Sequence, residues 1–258
     1  MHRRRLLKSL AGLALCPVCA KIGFAEDCAH WSYEGSSGPA HWGVLNPADR
    51  ACSVGSQQSP IAIDDAIEAQ RDPLEFDWSQ QADTIVNNGH TIQLNFDNGG
   101  TLKTGSGNYT LEQFHFHHPS EHLIHGEGFA MEAHFVHRNA AGSLGVIGVL
   151  MTAGKSNPMF AKVVENMPPS EGPPVDVARL GINPKGLLPS KRGYYLYSGS
   201  LTTPPCDETV DWMVLTDSIQ VAEKDIIAFA KLYPMNARPA QKLDRRFVLY
   251  SPETKSHP

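Results

Sequence analysis

Short runs of alternating apolar and polar residues recur along the middle of the chain, a period of two that is typical of β-strands. Asn87-Asn88-Gly89 and Asn98-Gly99-Gly100 are turn signals between such runs. Residues 144–151 are almost entirely apolar, which predicts a central strand buried on both faces. The predicted strands cover residues 84–86, 91–96, 101–103, 109–116, 129–137, 144–152, 194–198 and 209–216.

Helical signals are few. Asn157-Pro158 predicts the start of a helix that continues to Val164, because Pro is tolerated in the first turn. Residues 222–232 follow a helical period and Pro234 then ends it. Residues 31–60 are rich in Gly, Ser and Pro, which predicts an irregular arm over the domain. The sequence therefore predicts a mainly β fold with minor helices, a single domain over residues 26–258 around a large, mostly antiparallel twisted sheet.

The N-terminus has the features of an export signal. Arg3-Arg4-Arg5 precedes a short apolar stretch, and Gly23-Phe24-Ala25 offers small residues at a cleavage site before Glu26. The stretch is too short for a membrane-spanning helix. We predict a signal peptide at residues 1–25, twin-arginine-like or general secretory, and a periplasmic or secreted protein with no stable membrane anchor.

Net charge and cysteine content indicate which partners and which disulfides to expect. The net charge is −5 and no basic stripe is present, which argues against nucleic acid as a partner. Beyond the predicted signal the chain keeps Cys28, Cys52 and Cys206. An exported protein occupies a compartment that permits disulfides, so one bridge and one remaining cysteine are expected. The residues alone leave the pairing open.

Histidines in two alternating runs predict a metal site. Residues i and i+2 of a strand share a face, so His115 and His117 point the same way. If their strand pairs antiparallel with the run that contains His134, three imidazoles converge and leave one coordination position open, as in catalytic zinc sites. Gln113 and Glu132 each lie two residues before a histidine, where they can accept the hydrogen bond of its other ring nitrogen.

Two other interpretations of these histidines remain open on the motif alone. The spacing of His115, His117 and Glu121, followed by Gly128, is also similar to the first metal motif of cupins, in which Glu121 would ligate iron or manganese. Alternatively, the chain stores several weakly bound zinc ions. The histidines available for storage are His115, His117, His118, His122, His125, His134 and His137.

A distant segment decides between these interpretations. Leu201-Thr202-Thr203-Pro204-Pro205, taken with the histidine runs, resembles the corresponding segment of α-class carbonic anhydrases, and the resemblance extends over residues 31–239. The motifs that carry it also include Gln58-Ser59-Pro60-Ile61, Asn87-Asn88-Gly89-His90, Ser120-Glu121-His122 and Glu132-Ala133-His134-Phe135-Val136-His137. A member of that family without enzymatic activity would typically lack a ligand, whereas this sequence has all three.

The resemblance implies a function and a ligand set. It implies one Zn²⁺ per chain on His115, His117 and His134, and reversible hydration of carbon dioxide to bicarbonate and a proton by a zinc-bound hydroxide. Thr202 would orient the hydroxide and donate its own proton to Glu121. His90, Tyr33 and the substrate pocket complete the site.

The resemblance also implies roles for residues around the ligands. His90 would be the proton shuttle and Tyr33 would order solvent. The substrate pocket would be formed by Val136, Val146, Leu201, Thr203, Val210 and Trp212. Cys52 and Cys206 would be bridged, which leaves Cys28 free or intermolecular in a monomer or homodimer. The sequence departs from the family at His118 and Ala237, where Trp is common.

Overall fold

The computed structural model describes residues 30–253, so the predicted signal peptide and Cys28 lie outside the described residues. Over this range the chain is mainly β-sheet, as predicted. The strands are β1 (Ala62–Ile63), β2 (Ile67–Glu68), β3 (Glu75–Asp77), β4 (Thr84–Asn87), β5 (Ile92–Asn95), β6 (Thr101–Thr104), β7 (Gly107–His117), β8 (Leu123–Ile124), β9 (Met131–Asn139), β10 (Leu144–Ala153), β11 (Val175–Asp176), β12 (Tyr194–Gly199), β13 (Val210–Leu215), β14 (Ile219–Val221) and β15 (Leu249–Ser251).

One large sheet organises these strands. It contains thirteen strands in the order β11-β4-β5-β7-β9-β10-β13-β12-β15-β2, with β14, β3 and β6 attached beside this path, whereas β1 and β8 form a separate two-stranded sheet. Most pairs are antiparallel, as the sequence predicts, but β10 runs parallel to β13 and to β14, and β15 runs parallel to β2. The predicted central strand is confirmed, because β10 is buried continuously from Leu144 to Met151. The sheet thereby separates a large apolar core from the face that carries the histidines.

The helices are short and peripheral. They are α1 (Trp42–Leu45), α2 (Ala51–Val54), α3 (Pro158–Asn166) and α4 (Glu223–Ala230). Asn157 caps α3 by accepting hydrogen bonds from the N–H groups of Met159 and Phe160, so the predicted start is confirmed. No helix within residues 30–253 is long and apolar enough to cross a membrane.

The arm at residues 31–60 contains α1 and α2, which the sequence did not predict because each is a single turn. A disulfide between Cys52 and Cys206 fixes the arm to residues 154 positions later in the chain, so the pairing implied by the resemblance is confirmed. Arg238 adds a second attachment, since its guanidinium donates to the carbonyls of Ser59 (2.7 Å) and Cys52 (3.0 Å). Both attachments hold the arm against the loops around the histidines.

A β-bulge on β7 sets which side chains face the site. Leu111 pairs with His137 and Gln113 with Val136, so Glu112 is an extra residue in the ladder. Before the bulge, odd-numbered residues such as Leu111 face the apolar core, whereas after it even-numbered residues such as Phe114 do. The change of phase is what places the histidines of β7 on the opposite face from the core.

Glu112 holds this bulge in place with both its backbone and its side chain. Its carbonyl accepts a hydrogen bond from the N–H of Phe96 (2.9 Å). Its carboxylate accepts two hydrogen bonds from the guanidinium of Arg138 on the neighbouring strand, at 2.7 and 3.1 Å. The bidentate geometry fixes the position of the extra residue, although the pair is partly exposed and contributes modestly to stability.

Deletion of Glu112 should therefore remove the metal site while keeping a sheet. Without the extra residue, His115 and His117 would turn towards the core, because a one-residue slip exchanges the two faces of a strand. We expect the variant to lose measurable zinc binding in a chelator competition assay. The variant Glu75→Gln, which breaks the exposed ion pair with Lys103 (3.3 Å), is the control and should bind zinc normally. Full zinc affinity in the deletion variant would contradict this assignment of the bulge.

His137 is a buried histidine on the core face of β9. Its Nδ1–H donates to the carbonyl of Gly145 (3.1 Å) and its ring stacks on Trp78 with 5.3 Å between centroids. Burial lowers the pKa of His137 to about 4. The unfolded chain therefore takes up this proton first as the pH falls below about 6.5.

We expect this histidine to make the fold sensitive to acid. Its contribution to the free energy of unfolding is complete above pH 6.5 and falls as the pH approaches 4, because only the unfolded state binds the proton in that window. Between pH 7 and 5 the loss should be about 2 kcal/mol. Urea unfolding of the metal-free protein and of His137→Phe at both pH values measures it. Equal pH dependence in the two proteins would refute the expectation.

Candidate metal centre

The pairing of β7 with β9 brings the predicted ligands together. His115 lies directly opposite His134, and His117 lies opposite Glu132. One ring nitrogen from each of His115, His117 and His134 falls in a group whose atoms all lie within 4.8 Å of one another. The three imidazoles therefore converge as the alternation predicts.

The other nitrogen of each imidazole is fixed by a hydrogen bond. His115 Nδ1 donates to Gln113 Oε1 (2.8 Å) and His134 Nε2 donates to Glu132 Oε1 (2.9 Å), which are the two partners predicted from the sequence. His117 Nδ1 donates to the backbone carbonyl of Asn236 (2.7 Å), 119 residues away. These bonds leave two Nε2 atoms and one Nδ1 atom with lone pairs directed at one point.

This donor set fits a zinc ion. His117 Nε2 is buried and has no hydrogen-bond partner among the described residues, which is costly unless a metal accepts its lone pair. Burial, followed by mutual repulsion, lowers the pKa of His115 well below its usual value, and burial lowers the pKa of His117 to about 4. The pKa of His134 is also lowered by burial. Neutral imidazoles are the form that binds zinc.

Glu132 is the anionic centre behind the ligands. Its carboxylate accepts four N–H groups: from His134 and His122 side chains at 2.9 and 2.7 Å, and from the backbone of Glu121 and His122 at 3.0 and 2.9 Å. Burial alone would raise its pKa, but His122 and His134 and their hydrogen bonds lower it well below the usual range. Glu132 is thus held ionised, and it fixes the tautomer of His134.

Glu121 lies beside the ligands and is fully buried. Its Oε1 accepts the backbone N–H of Arg238 (2.8 Å), and its Oε2 has no hydrogen-bond partner among the described residues. Burial raises its pKa to about 7, although nearby His134, the Arg238 N–H and the hydroxyl of Thr202 each lower it. A divalent cation at the three imidazoles would lower this pKa further.

The imidazoles open into a cavity of about 160 Å³. One wall is apolar and consists of Val136, Val146, Leu201 and Trp212. Thr202, Thr203, Tyr33 and His90 also line the cavity, as predicted. Val210 packs into the same apolar cluster as the wall residues without lining the cavity.

His90 lines this cavity with its ring stacked against aromatic neighbours. Its ring stacks on Trp31 with 3.6 Å between centroids, and the ring of His30 is 4.9 Å away. Burial, followed by repulsion from His30, lowers the pKa of His90 to about 4. An imidazole in this stacked position is therefore a weaker base at neutral pH than a solvated histidine.

The remaining histidines do not join the convergence point. His137 faces the core, and His122 donates to Glu132 and contacts the hydroxyl of Tyr197 (2.6 Å). His122, Glu132 and His134 also lie close enough to hold a metal ion, but their facing atoms are already joined by hydrogen bonds. His118 hydrogen-bonds the carbonyl of Pro234 (3.0 Å), away from the ligands. Among the described residues, the side chains of His118, His122 and His137 are therefore engaged elsewhere than at the point where the three ligands converge.

Known proteins are similar to this chain in sequence and in fold. Residues 37–252 match the family model for eukaryotic-type carbonic anhydrase. A carbonic anhydrase of Pectobacterium atrosepticum is 42% identical over 95% of this chain and 100% of its own length.

Solved structures give the same result. The α-carbonic anhydrase of Thermovibrio ammonificans in complex with sulfanilamide is 42% identical, with a TM-score of 0.82 over 85% of this chain and 98% of that one. Dioscorin complexed with ascorbate is 30% identical, with a TM-score of 0.81 over 88% of this chain and 100% of that one. The convergent imidazoles, the apolar-walled cavity and these matches together place this chain in the α-carbonic anhydrase family.

Proposed function

We propose that this chain catalyses the reversible hydration of carbon dioxide to bicarbonate and a proton with one zinc ion per chain. The observation that carries the proposal is the convergence of three neutral, oriented imidazoles on a cavity with an apolar wall. When bound, zinc would lower the pKa of a coordinated water far below that of bulk water, to about 7, a value established for carbonic anhydrases in general rather than obtained from this chain.

The apolar wall would hold the substrate. Carbon dioxide carries no charge and offers weak hydrogen-bond acceptors, so a surface of Val136, Val146, Leu201 and Trp212 beside the ligands suits it better than charged groups would. Trp212 is held in place because its Nε1–H donates to the carbonyl of Ser200 (2.9 Å). Bicarbonate is charged and would leave this surface for solvent.

Thr202 and Glu121 would select the protonation state of the group they face. A threonine hydroxyl donates one proton. If Thr202 donates it to ionised Glu121, its oxygen can only accept a hydrogen bond from the cavity side. The pair would then favour a protonated oxygen nucleophile in one orientation and disfavour anions that lack a proton.

His90 would carry the released proton to solvent. In the Trp31 stack its pKa of about 4 is too low for efficient uptake at neutral pH. We infer that the ring leaves the stack to relay a proton, which its position after the turn residues Asn88 and Gly89 would permit. Tyr33 lines the same cavity, and its pKa is raised by burial and by Glu121, so it stays protonated and can order solvent.

We also propose that residues 1–25 direct export. The disulfide between Cys52 and Cys206 is consistent with a periplasmic or secreted location.

Stopped-flow measurement of carbon dioxide hydration by residues 26–258, with and without zinc, tests the activity. A rate no higher than background in the zinc-loaded protein would refute the proposed function.

Glu121→Gln should retain zinc and lose most activity. The amide can donate a hydrogen bond to Thr202, which lets the Thr202 hydroxyl donate into the cavity instead of accepting. We expect the hydration rate to fall about a hundredfold or more, with one zinc per chain still found by atomic absorption. Loss of zinc together with activity would instead make Glu121 a ligand, as in a cupin.

His90→Ala should slow turnover mainly in weak buffer. We expect kcat to fall at least about tenfold, while kcat/KM, which reports the hydration step, stays nearly constant. Added imidazole should restore kcat by accepting the proton directly. His41→Ala, which removes an exposed histidine outside the cavity, is the control. A kcat that is independent of buffer in both variants would rule out the relay.

A further inference from the structure

Asn236 is completely buried, and each of its polar groups has a hydrogen-bond partner. Its backbone carbonyl accepts from His117 Nδ1 (2.7 Å) and its N–H donates to the carbonyl of His118 (3.0 Å). Its side-chain Oδ1 accepts from the N–H of His118 (2.7 Å). Its Nδ2 donates to the carbonyls of His90 and Phe116, at 3.0 Å each. One residue thus touches both a metal ligand and the backbone of the candidate relay.

The side chain of Asn236 lies where the pairing between β5 and β7 ends. The ladder between β5 and β7 ends with Gln93 opposite His115. Beyond that point Phe116 is paired with Ala133 of β9 but has no ladder partner on the β5 side, where the hydroxyl of Thr91 donates to its carbonyl (2.6 Å). Asn236 supplies the second donor to that carbonyl and also spans the gap to His90. The amide therefore takes the place of the missing ladder bonds at the edge of the site.

We propose that Asn236 is a positioning residue whose side chain fixes the loop that carries His90 relative to the end of β7. It thereby sets the geometry of His117 and the distance over which His90 must move a proton. The part that concerns His90 rests on the proposed function. The part that concerns His117 depends only on the ligand geometry.

The chemistry of the position explains why an amide is needed. It must accept one hydrogen bond, from His118, and donate two, to His90 and Phe116, within a small buried volume. Aspartate has the same shape but would place an oxygen against two carbonyl groups. Leucine would leave the N–H of His118 without its acceptor and the carbonyl of His90 without this donor, which is costly in a buried environment.

The test compares Asn236→Asp with Asn166→Asp, a matched control on α3 whose amide donates to the carbonyl of Lys162 (2.8 Å) far from the ligands in sequence. Zinc affinity of the metal-free proteins is measured by chelator competition. We expect Asn236→Asp to bind zinc about 10- to 100-fold more weakly, and the control to stay within about twofold of wild type. A folded Asn236→Asp protein with wild-type zinc affinity would overturn the proposal.

Turnover separates this role from that of His90 alone. Asn236→Asp should lower zinc affinity and also lower kcat in weak buffer, whereas His90→Ala should lower only kcat. A variant that changes stability but neither of these quantities would show a merely structural role and contradict the proposal. Because zinc affinity is measured without turnover, this result stands apart from any failure to observe hydration.

Hydrogen exchange in the wild-type protein covers the case in which Asn236→Asp does not fold. The side-chain NH₂ protons of Asn236 and the backbone N–H of His118 should exchange far more slowly than those of exposed amides, since all are buried and bonded. Side-chain exchange of Asn236 at the rate of an exposed asparagine would show that these bonds do not persist in solution, and would overturn the proposal.

Discussion

The pairing of β7 with β9, in the phase set by the bulge at Glu112, is the constraint on which the site depends. Side chains alternate between faces along a strand, so every ligand position follows once the register is fixed. The same register that places His115 opposite His134 places Phe114 opposite Phe135 in the core. Burial of the phenylalanines therefore holds the histidines in position. The contacts that stabilise the fold also fix the geometry of the metal ligands.

Behind the ligands the interior is unusually polar, and it is tolerated because nearly every group has a partner. Glu132 accepts four N–H groups, and His122 continues the chain of hydrogen bonds to Tyr197, which bonds Ser59 (3.1 Å). Buried charges of this kind are costly when one partner is missing, so the network favours a single arrangement. That single arrangement is what presents a fixed tautomer of His134 to a metal.

The sequence was sufficient for eight strands, for the ligands and for two of their hydrogen-bond partners, because all of these follow from local alternation. The strands that it did not predict have only two or three residues each, too few to show a period: β1, β2, β3, β8, β11, β14 and β15. It did not reveal Asn236, since a backbone carbonyl can be supplied by any residue and leaves no trace in the sequence. The parallel pairing of β10 with β13 also has no local signal. The low pKa of His90 depends on its stack with Trp31, a contact that only the folded chain contains. The change of phase at Glu112 was not predicted, although the apolar residues do shift from odd to even positions there.

The three ligands lie within twenty residues of sequence, in one pair of neighbouring strands, whereas the group that orients His117 arrives only with Asn236 near the C-terminus. The metal ligands thus come from two strands that are close in sequence, whereas the group that orients His117 comes from a distant part of the chain. Contacts of high sequence separation form late in folding because loop closure opposes them. A growing chain would contain all three imidazoles well before it contained Asn236, so the orientation of His117 depends on a contact that can form only when the chain is nearly complete.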